Sequence, residues 1–407
     1  MKILMLGWEF PPYSTGGLGT ACHGLTKALA EKDVEITFVM PNGPDSAQAK
    51  HVNLIVANNF IKQKVKFKKV NSILTPYITS EDYDEKLLRY HKKSGKEDSI
   101  YGRDLYDEVN RFTEKVKIIA RDEDFDVIHA HDWMTYKAGI AVSKESGKPL
   151  VAQIHATEFD RTGGNPNQYV YDIEKEGMNA ADRVIAVSNF TKNKVTTHYG
   201  VDNKKIRVVH NAVEHDHRLR SGIKSNRSSK HKTVLFLGRI TLQKGPDYFL
   251  YAAKKVLEKV NNVRFVIAGT GDMEPHIIEK AAELGMANKV LFTGFLAGKD
   301  VDKAYQLADL YVMPSVSEPF GITPLEAIRN DVPVLISKQS GVSEVLKNCL
   351  KTDFWDIDDM ANKMIATLKY NALSDTLREN ANEELQEFNW GVPAGKCIDV
   401  YNEVLGT

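Results

Sequence analysis

Leu310-Tyr311-Val312-Met313-Pro314 runs through Ser317-Glu318-Pro319-Phe320-Gly321-Ile322-Thr323-Pro324-Leu325-Glu326-Ala327, so that a strand end, a glycine turn, a helix start and two carboxylates fall together. The first four residues are apolar and rich in strand formers, and the proline stops them, which predicts a short buried strand. Thr323 fits an N-cap, with Pro324 at the first helical position and Glu326 at capping-box spacing, predicting a helix from Leu325 to Arg329. The positive end of that helix then lies beyond a strand's carboxyl end, which in an open α/β sheet is the ligand crevice. Backbone N–H groups of Gly321, Ile322 and Thr323 there suit a phosphate. Glu326 fits two roles: the capping-box carboxylate or a ligand contact. Glu318 precedes a proline, outside any periodic pattern, so neither capping nor core burial accounts for it.

Working outward, strands and helices alternate. Lys2-Ile3-Leu4-Met5-Leu6 predicts a buried strand, and Gly16-Gly17-Leu18-Gly19 opens a helix from about Thr20 to Glu31 before the strand Glu35 to Met40. The glycine pair allows close backbone approach to phosphate or sugar, although Gly-x-Gly-x-x-Gly is absent from this turn. Residues Ile61 to Val70 alternate apolar and lysine positions and predict an edge strand, whose lysine face is either a basic groove or a solvated guard against edge pairing. Glu81 to Gly95 is charged and predicts a loop or loose helix over the crevice; Arg103 to Asp122 predicts an amphipathic helix. The strand Asp126 to Ala130 ends at His131-Asp132-Trp133, and Pro149 to Ile154 ends at His155. Either these histidines are site residues or His129 is a core histidine and His131-Asp132 a helix cap. Strands at Ala181 to Ser188 and Ile206 to Asn211 complete a doubly wound parallel sheet over residues 1–214.

Residues 215–232 are polar and basic and predict an interdomain linker; His215-Asp216-His217 lacks a third ligand nearby. A second domain, 233–390, restarts at Thr233 to Gly238. Arg239 and Lys244 flank a strand-to-helix turn, where cations oppose the helix dipole unless an anion sits between them. Gly269-Thr270-Gly271 predicts a turn whose N–H groups meet a diphosphate. Val332 to Ile336 predicts a strand, and Ser340 to Glu344 the start of a helix. The C-terminal segment through 391–407 is amphipathic and is expected to pack back, completing the first domain.

The chain has 407 residues, enough for two domains of about 200 each. Lys plus Arg and Asp plus Glu balance at 54 each, so nothing points to nucleic acid and anion binding must be local. Cys22, Cys349 and Cys397 are odd in number and far apart, which argues against a disulfide frame or a thiolate zinc site and for a reducing compartment. No signal peptide or membrane span is expected.

Gly16-Gly17-Leu18, His129 to Trp133, His155, Arg239 to Gly245, Gly269 to Gly271 and the Glu318 to Glu326 run together resemble the retaining nucleotide-sugar glycosyltransferases of family 4, of GT-B fold. His-Ala-His-Asp-Trp and Trp8-Glu9-Phe10-Pro11 with Thr15-Gly16-Gly17-Leu18 are similar to bacterial glycogen and starch synthases. The resemblance implies two Rossmann-like domains facing a central cleft, with donor on the second and acceptor on the first, and retention of configuration without a metal or other cofactor. It implies a cytoplasmic enzyme moving a hexose, glucose foremost, from a UDP- or ADP-sugar to an α-glucan. By position, Arg239 and Lys244 resemble the pair on the donor diphosphate and Glu318 the glutamate on the hexose hydroxyls. Glu326 resembles the ribose acceptor and His155 the histidine near the donor sugar. Gly16, Gly17, Gly238, Gly269, Gly271, Phe320, Gly321, Ile322 and Thr323 would line the donor; His131, Asp132 and Trp133 would meet the acceptor. Ser14, where glycogen synthases usually carry lysine, and Ser340, where a glycine is usual, depart from the pattern. A small sugar, sugar phosphate or lipid-linked acceptor stays open, as does a GT-B epimerase or a nucleotide-sugar binder without turnover.

Overall fold

The computed structural model describes residues 1–11, 17–41, 49–58, 105–214 and 231–407. Gly16, Ser14, the lysine-faced segment, the charged segment Glu81 to Gly95 and all but the end of the 215–232 segment lie outside them.

The first sheet is built from β1 (Lys2–Leu6), β2 (Glu35–Met40), β3 (Asn53–Val56), β4 (Val127–His131), β5 (Leu150–Ile154), β6 (Arg183–Ala186) and β7 (Ile206–Val208). Its order is β3-β2-β1-β4-β5-β6-β7, with every neighbouring pair parallel. Helices α1 (Gly17–Ala30), α2 (Leu105–Ala120), α3 (Trp133–Ser146), α4 (Glu158–Arg161), α5 (Gln168–Ala180) and α6 (Asn189–Tyr199) follow its strands. A parallel sheet covered on both faces buries its strands on both sides, so β4 and β5 are buried at every position, including the polar His129, His131 and Gln153.

The second sheet comprises β8 (Lys232–Leu237), β9 (Val263–Ala268), β10 (Val290–Gly294), β11 (Leu310–Met313), β12 (Val334–Ser337) and β13 (Leu350–Thr352), in the order β10-β9-β8-β11-β12-β13, again parallel. Its helices are α7 (Pro246–Leu257), α8 (Glu274–Glu283), α9 (Lys299–Gln306), α10 (Thr323–Arg329), α11 (Ile357–Lys369) and α12 (Asn371–Glu384). Strand order reverses between β1 and β4 and again between β8 and β11, and crevices at strand carboxyl ends form at such reversals.

The terminal helix α13 (Gly391–Leu405) returns to the first domain: Trp390, Ala394, Cys397, Val400 and Tyr401 join its core. Trp390 leaves no room for a side chain at position 24, where a Cβ would stand 2.3 Å from the indole, so Gly24 admits the returning segment. A further apolar cluster joins Val187 and Val213 of the first domain to Met313, Phe320 and Val342 of the second. Two expectations are corrected. The chain at Ser340 to Glu344 forms only a 3-10 turn, Gly341–Glu344, before β13. Helix α1 begins at Gly17, three residues before its expected start, and the Glu9 carboxylate accepts from Gly19 N–H at 3.2 Å in its first turn.

Candidate active site

β8 delivers the chain into Arg239 and a 3-10 turn, Leu242–Lys244, which closes at Gly245 with φ 66° before α7. The neighbouring β11 delivers Ser315 to Glu318. The two loops are laced together: Val316 N–H donates to Gln243 O at 2.9 Å, and Gln243 Nε2 to Ser317 O at 3.1 Å. Arg239 Nη2 donates to Gln243 Oε1 at 3.2 Å. The Glu318 carboxylate accepts from Lys244 Nζ at 2.5 Å and from Ser315 Oγ at 3.3 Å, and its backbone is pinned by Glu318 N–H to Gln339 O at 2.9 Å. The two groups expected to meet diphosphate and hexose are thus an ion pair, with the carboxylate 10% exposed and the lysine 22%.

Beyond Glu318, Gly321 has φ 100°, which lets the chain turn into α10 as few other residues would. No protein acceptor takes the N–H groups of Gly321, Ile322 or Thr323 among the described residues. The capping-box expectation for Glu326 is corrected. Ile322 stands at the N-cap without a side-chain bond, and Thr323 is already helical. The Thr323 hydroxyl is held instead by Tyr311 Oη at 2.8 Å, and Glu326 accepts from Tyr305 Oη at 3.2 Å, which also lies 3.2 Å from Thr323 O. Two tyrosines from below therefore take the partners that a capping box would have paired. Burial raises the Glu326 pKa, against the pull of Arg329 and the Tyr305 hydroxyl.

Gly269 and Gly271 have a packing reason. A Cβ on Gly269 would come within 1.9 Å of Gly238 O, and one on Gly271 within 2.2 Å of Ile240 O. The turns after β8 and β9 lie backbone against backbone, with Gly238 N–H donating to Ala268 O and Ile240 N–H to Thr270 O, each at 3.0 Å. Gly269 N–H is spent on Gly294 O at 2.9 Å, so the expected offer of this N–H to a diphosphate is not met.

In the first domain β4 ends on His131, and Asp132 adopts φ 61°, ψ 168°, a costly conformation for a non-glycine residue. Its carboxylate does not cap α3. It accepts from His155 N–H at 2.7 Å and lies 3.9 Å from Arg161 Nη2. Arg161 is a buried hub: it donates to Glu174 at 3.0 Å, Glu158 at 3.3 Å and Ala156 O at 2.7 Å, fixing the chain just after β5. Burial pushes the Glu174 carboxyl up to about 7, with Arg161 and Tyr199 opposing. His131 Nδ1 and His155 Nε2 are 2.9 Å apart, and His129 Nδ1 meets Tyr401 Oη of α13 at 2.8 Å. Trp133 is 2% exposed in the first core, so the aromatic face expected to meet a sugar ring is used for packing. His131 is likewise wholly buried, and its bond to His155 makes it a support for that ring.

Sequence reasoning missed how the domains meet at this loop. Asp160 accepts from Lys194 Nζ at 2.6 Å and from the Ser317 hydroxyl, and Lys194 reaches Ser317 Oγ at 2.6 Å. Burial alone would raise the Asp160 pKa, but Lys194 and its hydrogen bonds hold it below the ordinary value. Ser188 Oγ donates to Pro319 O at 2.5 Å, while Glu344 accepts from the N–H groups of Asn189 (2.9 Å) and Phe190 (2.5 Å) at the start of α6. The residues on either side of Glu318 are thus held by the first domain. Thr157 and Asp160 form a capping box around α4, a spacing legible in Thr157-Glu158-Phe159-Asp160; Lys194 looks like any helix-surface lysine.

Cysteine spacing along the chain does not show which other side chains the fold brings beside each thiol. Cys22 of α1 has ligand atoms of His131 and His155 around it, all within 4.8 Å of one another. Spacing between cysteines could not reveal a cluster that one cysteine makes with two distant histidines.

Two doubly wound sheets, each with a reversal of strand order, give the chain a GT-B fold. Residues 15–217 match the family described as Glycosyltransferase Family 4 and residues 220–384 that described as Glycosyl transferases group 1; the chain belongs to these glycosyltransferases. It is 30% identical to a glycosyltransferase of Methanocaldococcus jannaschii described as uncharacterised, over 98% of each chain. It is 24% identical to a glycogen synthase of Mycobacterium tuberculosis, covering 98% of this chain and 94% of that one. Among solved structures, sucrose-phosphate synthase from Thermosynechococcus elongatus superposes with a TM-score of 0.78 at 18% identity, over 100% of this chain and 99% of the other. No helix among the described residues is long and apolar enough to cross a membrane.

Proposed function

We propose that this glycosyltransferase moves a hexose, with retention, from a uridine or adenosine diphosphate sugar to an α-1,4-glucan or malto-oligosaccharide. The observation that carries the reading is the Lys244–Glu318 pair at the strand reversal of the second sheet, in a loop that the first domain grips at Ser317 and Pro319. As the anomeric bond breaks, negative charge gathers on the diphosphate. Arg239, Lys244 and the N–H groups of Gly321 to Thr323 stabilise it, and one such donor is worth about 2.7–4 kcal/mol. Glu318 orients the hexose hydroxyls, and Glu326, held by Tyr305, accepts from the ribose. His155, fixed by Asp132 and His131, lies on the sugar's side. These charged donors make a metal unnecessary for leaving-group departure. Similarity over nearly the whole chain to a glycogen synthase supports the glucan acceptor. Three free cysteines accord with a reducing, cytoplasmic setting.

The competing reading is a small sugar or sugar-phosphate acceptor. The burial of Trp133 favours it, since it removes the stacking face expected for a glucan chain. The test is a panel of uridine and adenosine diphosphate sugars against malto-oligosaccharides, monosaccharides and sugar phosphates, read by nucleotide release. Release that depends on malto-oligosaccharide, with the new linkage α, is expected. Release with small acceptors alone overturns the glucan reading, and interconversion of donor sugars without any acceptor overturns the transfer reading.

A further inference from the structure

The mechanism leaves Cys22 unused, although it is wholly buried beside two histidines of the site. Its thiol and one ring nitrogen each of His131 and His155 all lie within 4.8 Å of one another. His131 Nε2 is buried without any hydrogen-bond partner, and a polar atom left bare in a closed interior calls for an occupant of its surroundings. The rings are held in place: His131 stacks on His129 with centroids 4.3 Å apart and on His155 at 5.2 Å, and Tyr401 ties His129 to the terminal helix. The neutral imidazole is the form that ligates a metal.

We propose that Cys22, His131 and His155 form an inhibitory site for a soft divalent cation such as zinc, which stops transfer by taking His155 away from the sugar. Two imidazoles and a thiolate are the donor set zinc prefers, with bonds of about 2.0–2.1 Å to nitrogen and about 2.3 Å to sulfur. Closing the triangle from 4.8 Å to tetrahedral contact requires side-chain movements of about 1 Å. Each neutral ring keeps its one N–H and offers its other nitrogen, and the hydrogen bond between the rings gives way. The thiol proton is the one lost to solvent. His155, 8% exposed, is the route of entry, and the fourth coordination position falls to water or substrate. Cation binding here and turnover exclude one another, so the metal is an inhibitor and not a cofactor.

The test uses the full chain freed of metal with a chelator. Cobalt(II) replaces zinc as a spectroscopic probe: one equivalent should give a thiolate-to-cobalt charge-transfer band in the near ultraviolet with the visible bands of a tetrahedral ion, and zinc should bleach both. Cys22→Ser should lose the charge-transfer band, which assigns it to Cys22 over Cys349 and Cys397. Acceptor-dependent nucleotide release by the native chain should be inhibited by low-micromolar zinc. Cys22→Ser should keep its basal rate, and its zinc sensitivity should fall by more than about tenfold, the least that loss of even an outer partner costs a metal site. Cys22→Ala, with folding checked by thermal melting, serves if the serine variant misfolds, and the spectrum of the native chain needs no variant. Cobalt bound without a charge-transfer band, or a zinc sensitivity equal in the native chain and the Cys22 variant, overturns the proposal. The inhibition arm rests on the transferase reading above; the cobalt spectrum does not, so the two can fail separately.

Discussion

Replacing Glu318 by glutamine keeps the side chain's shape and removes its charge, and the fold gives this change two opposite consequences. The carboxylate is bonded to Lys244 at 2.5 Å, and the lysine is 22% exposed. Unit charges about 4 Å apart at an effective dielectric of about 20 attract by about 4 kcal/mol. Solvent at the ammonium and the desolvation of both groups cancel most of this, leaving about 1–2 kcal/mol for a diphosphate to overcome when it recruits Lys244. Glu318→Gln is therefore expected to tighten UDP or ADP roughly 5–30-fold, the factor that 1–2 kcal/mol represents. Turnover should move the other way, with kcat falling by about 100-fold or more, because the group that orients the sugar in the transition state has lost its charge. Titration calorimetry with the free nucleotide and steady-state nucleotide release separate the two. Weaker nucleotide binding, or a kcat near that of the native chain, refutes the reasoning.

Arg239→Ala should weaken nucleoside diphosphate binding by about 1.5–3 kcal/mol, the worth of a charge-assisted bond, with the melting temperature unchanged; unaltered calorimetric affinity would make it a surface cation. Tyr305→Phe removes the hydroxyl that holds Glu326 and should cost about 1 kcal/mol of nucleotide affinity while sparing kcat, read from the same titration. Glu344→Ala strips Asn189 and Phe190 of their cap across the domains and should lower stability by about 1–2 kcal/mol and raise the donor KM; equal melting curves and KM would show the contact to be idle. Burial depresses His129 to about 3 and lowers His131 and His155 below the ordinary 6.5. These rings are neutral in the fold and take up protons on unfolding, so their contribution is complete above about 6.5 and is lost as pH falls, by at most about 1.4 kcal/mol per pH unit for each ring. Urea midpoints at two pH values on that slope should differ; identical midpoints would mean the rings carry charge in the fold.

Period and punctuation in the sequence determined a great deal. Buried parallel strands are mostly apolar on both faces, so runs such as Val127 to Ala130, His129 apart, and Leu310 to Met313 announced themselves, and the residues just beyond them announced the candidate site. The strands Asn53–Val56 and Leu350–Thr352 are only four and three residues long, too short for a period to show, and pair because neighbours offer them a ladder. The identity of Glu318, Arg239 and Lys244 as candidates was local information; their pairing was not, since 74 positions separate Lys244 from Glu318. The tertiary structure alone decided that Tyr305 and Tyr311 replace a capping box, that Trp133 packs inward and that Lys194 bridges Asp160 and Ser317. It alone brought Cys22 to His131 and His155, over a separation of more than a hundred residues. A sequence records which groups a chain owns and how its backbone repeats. Distances between groups far apart along the chain are set by strand order and by packing across the sheets, and the chemistry of this site depends on those distances.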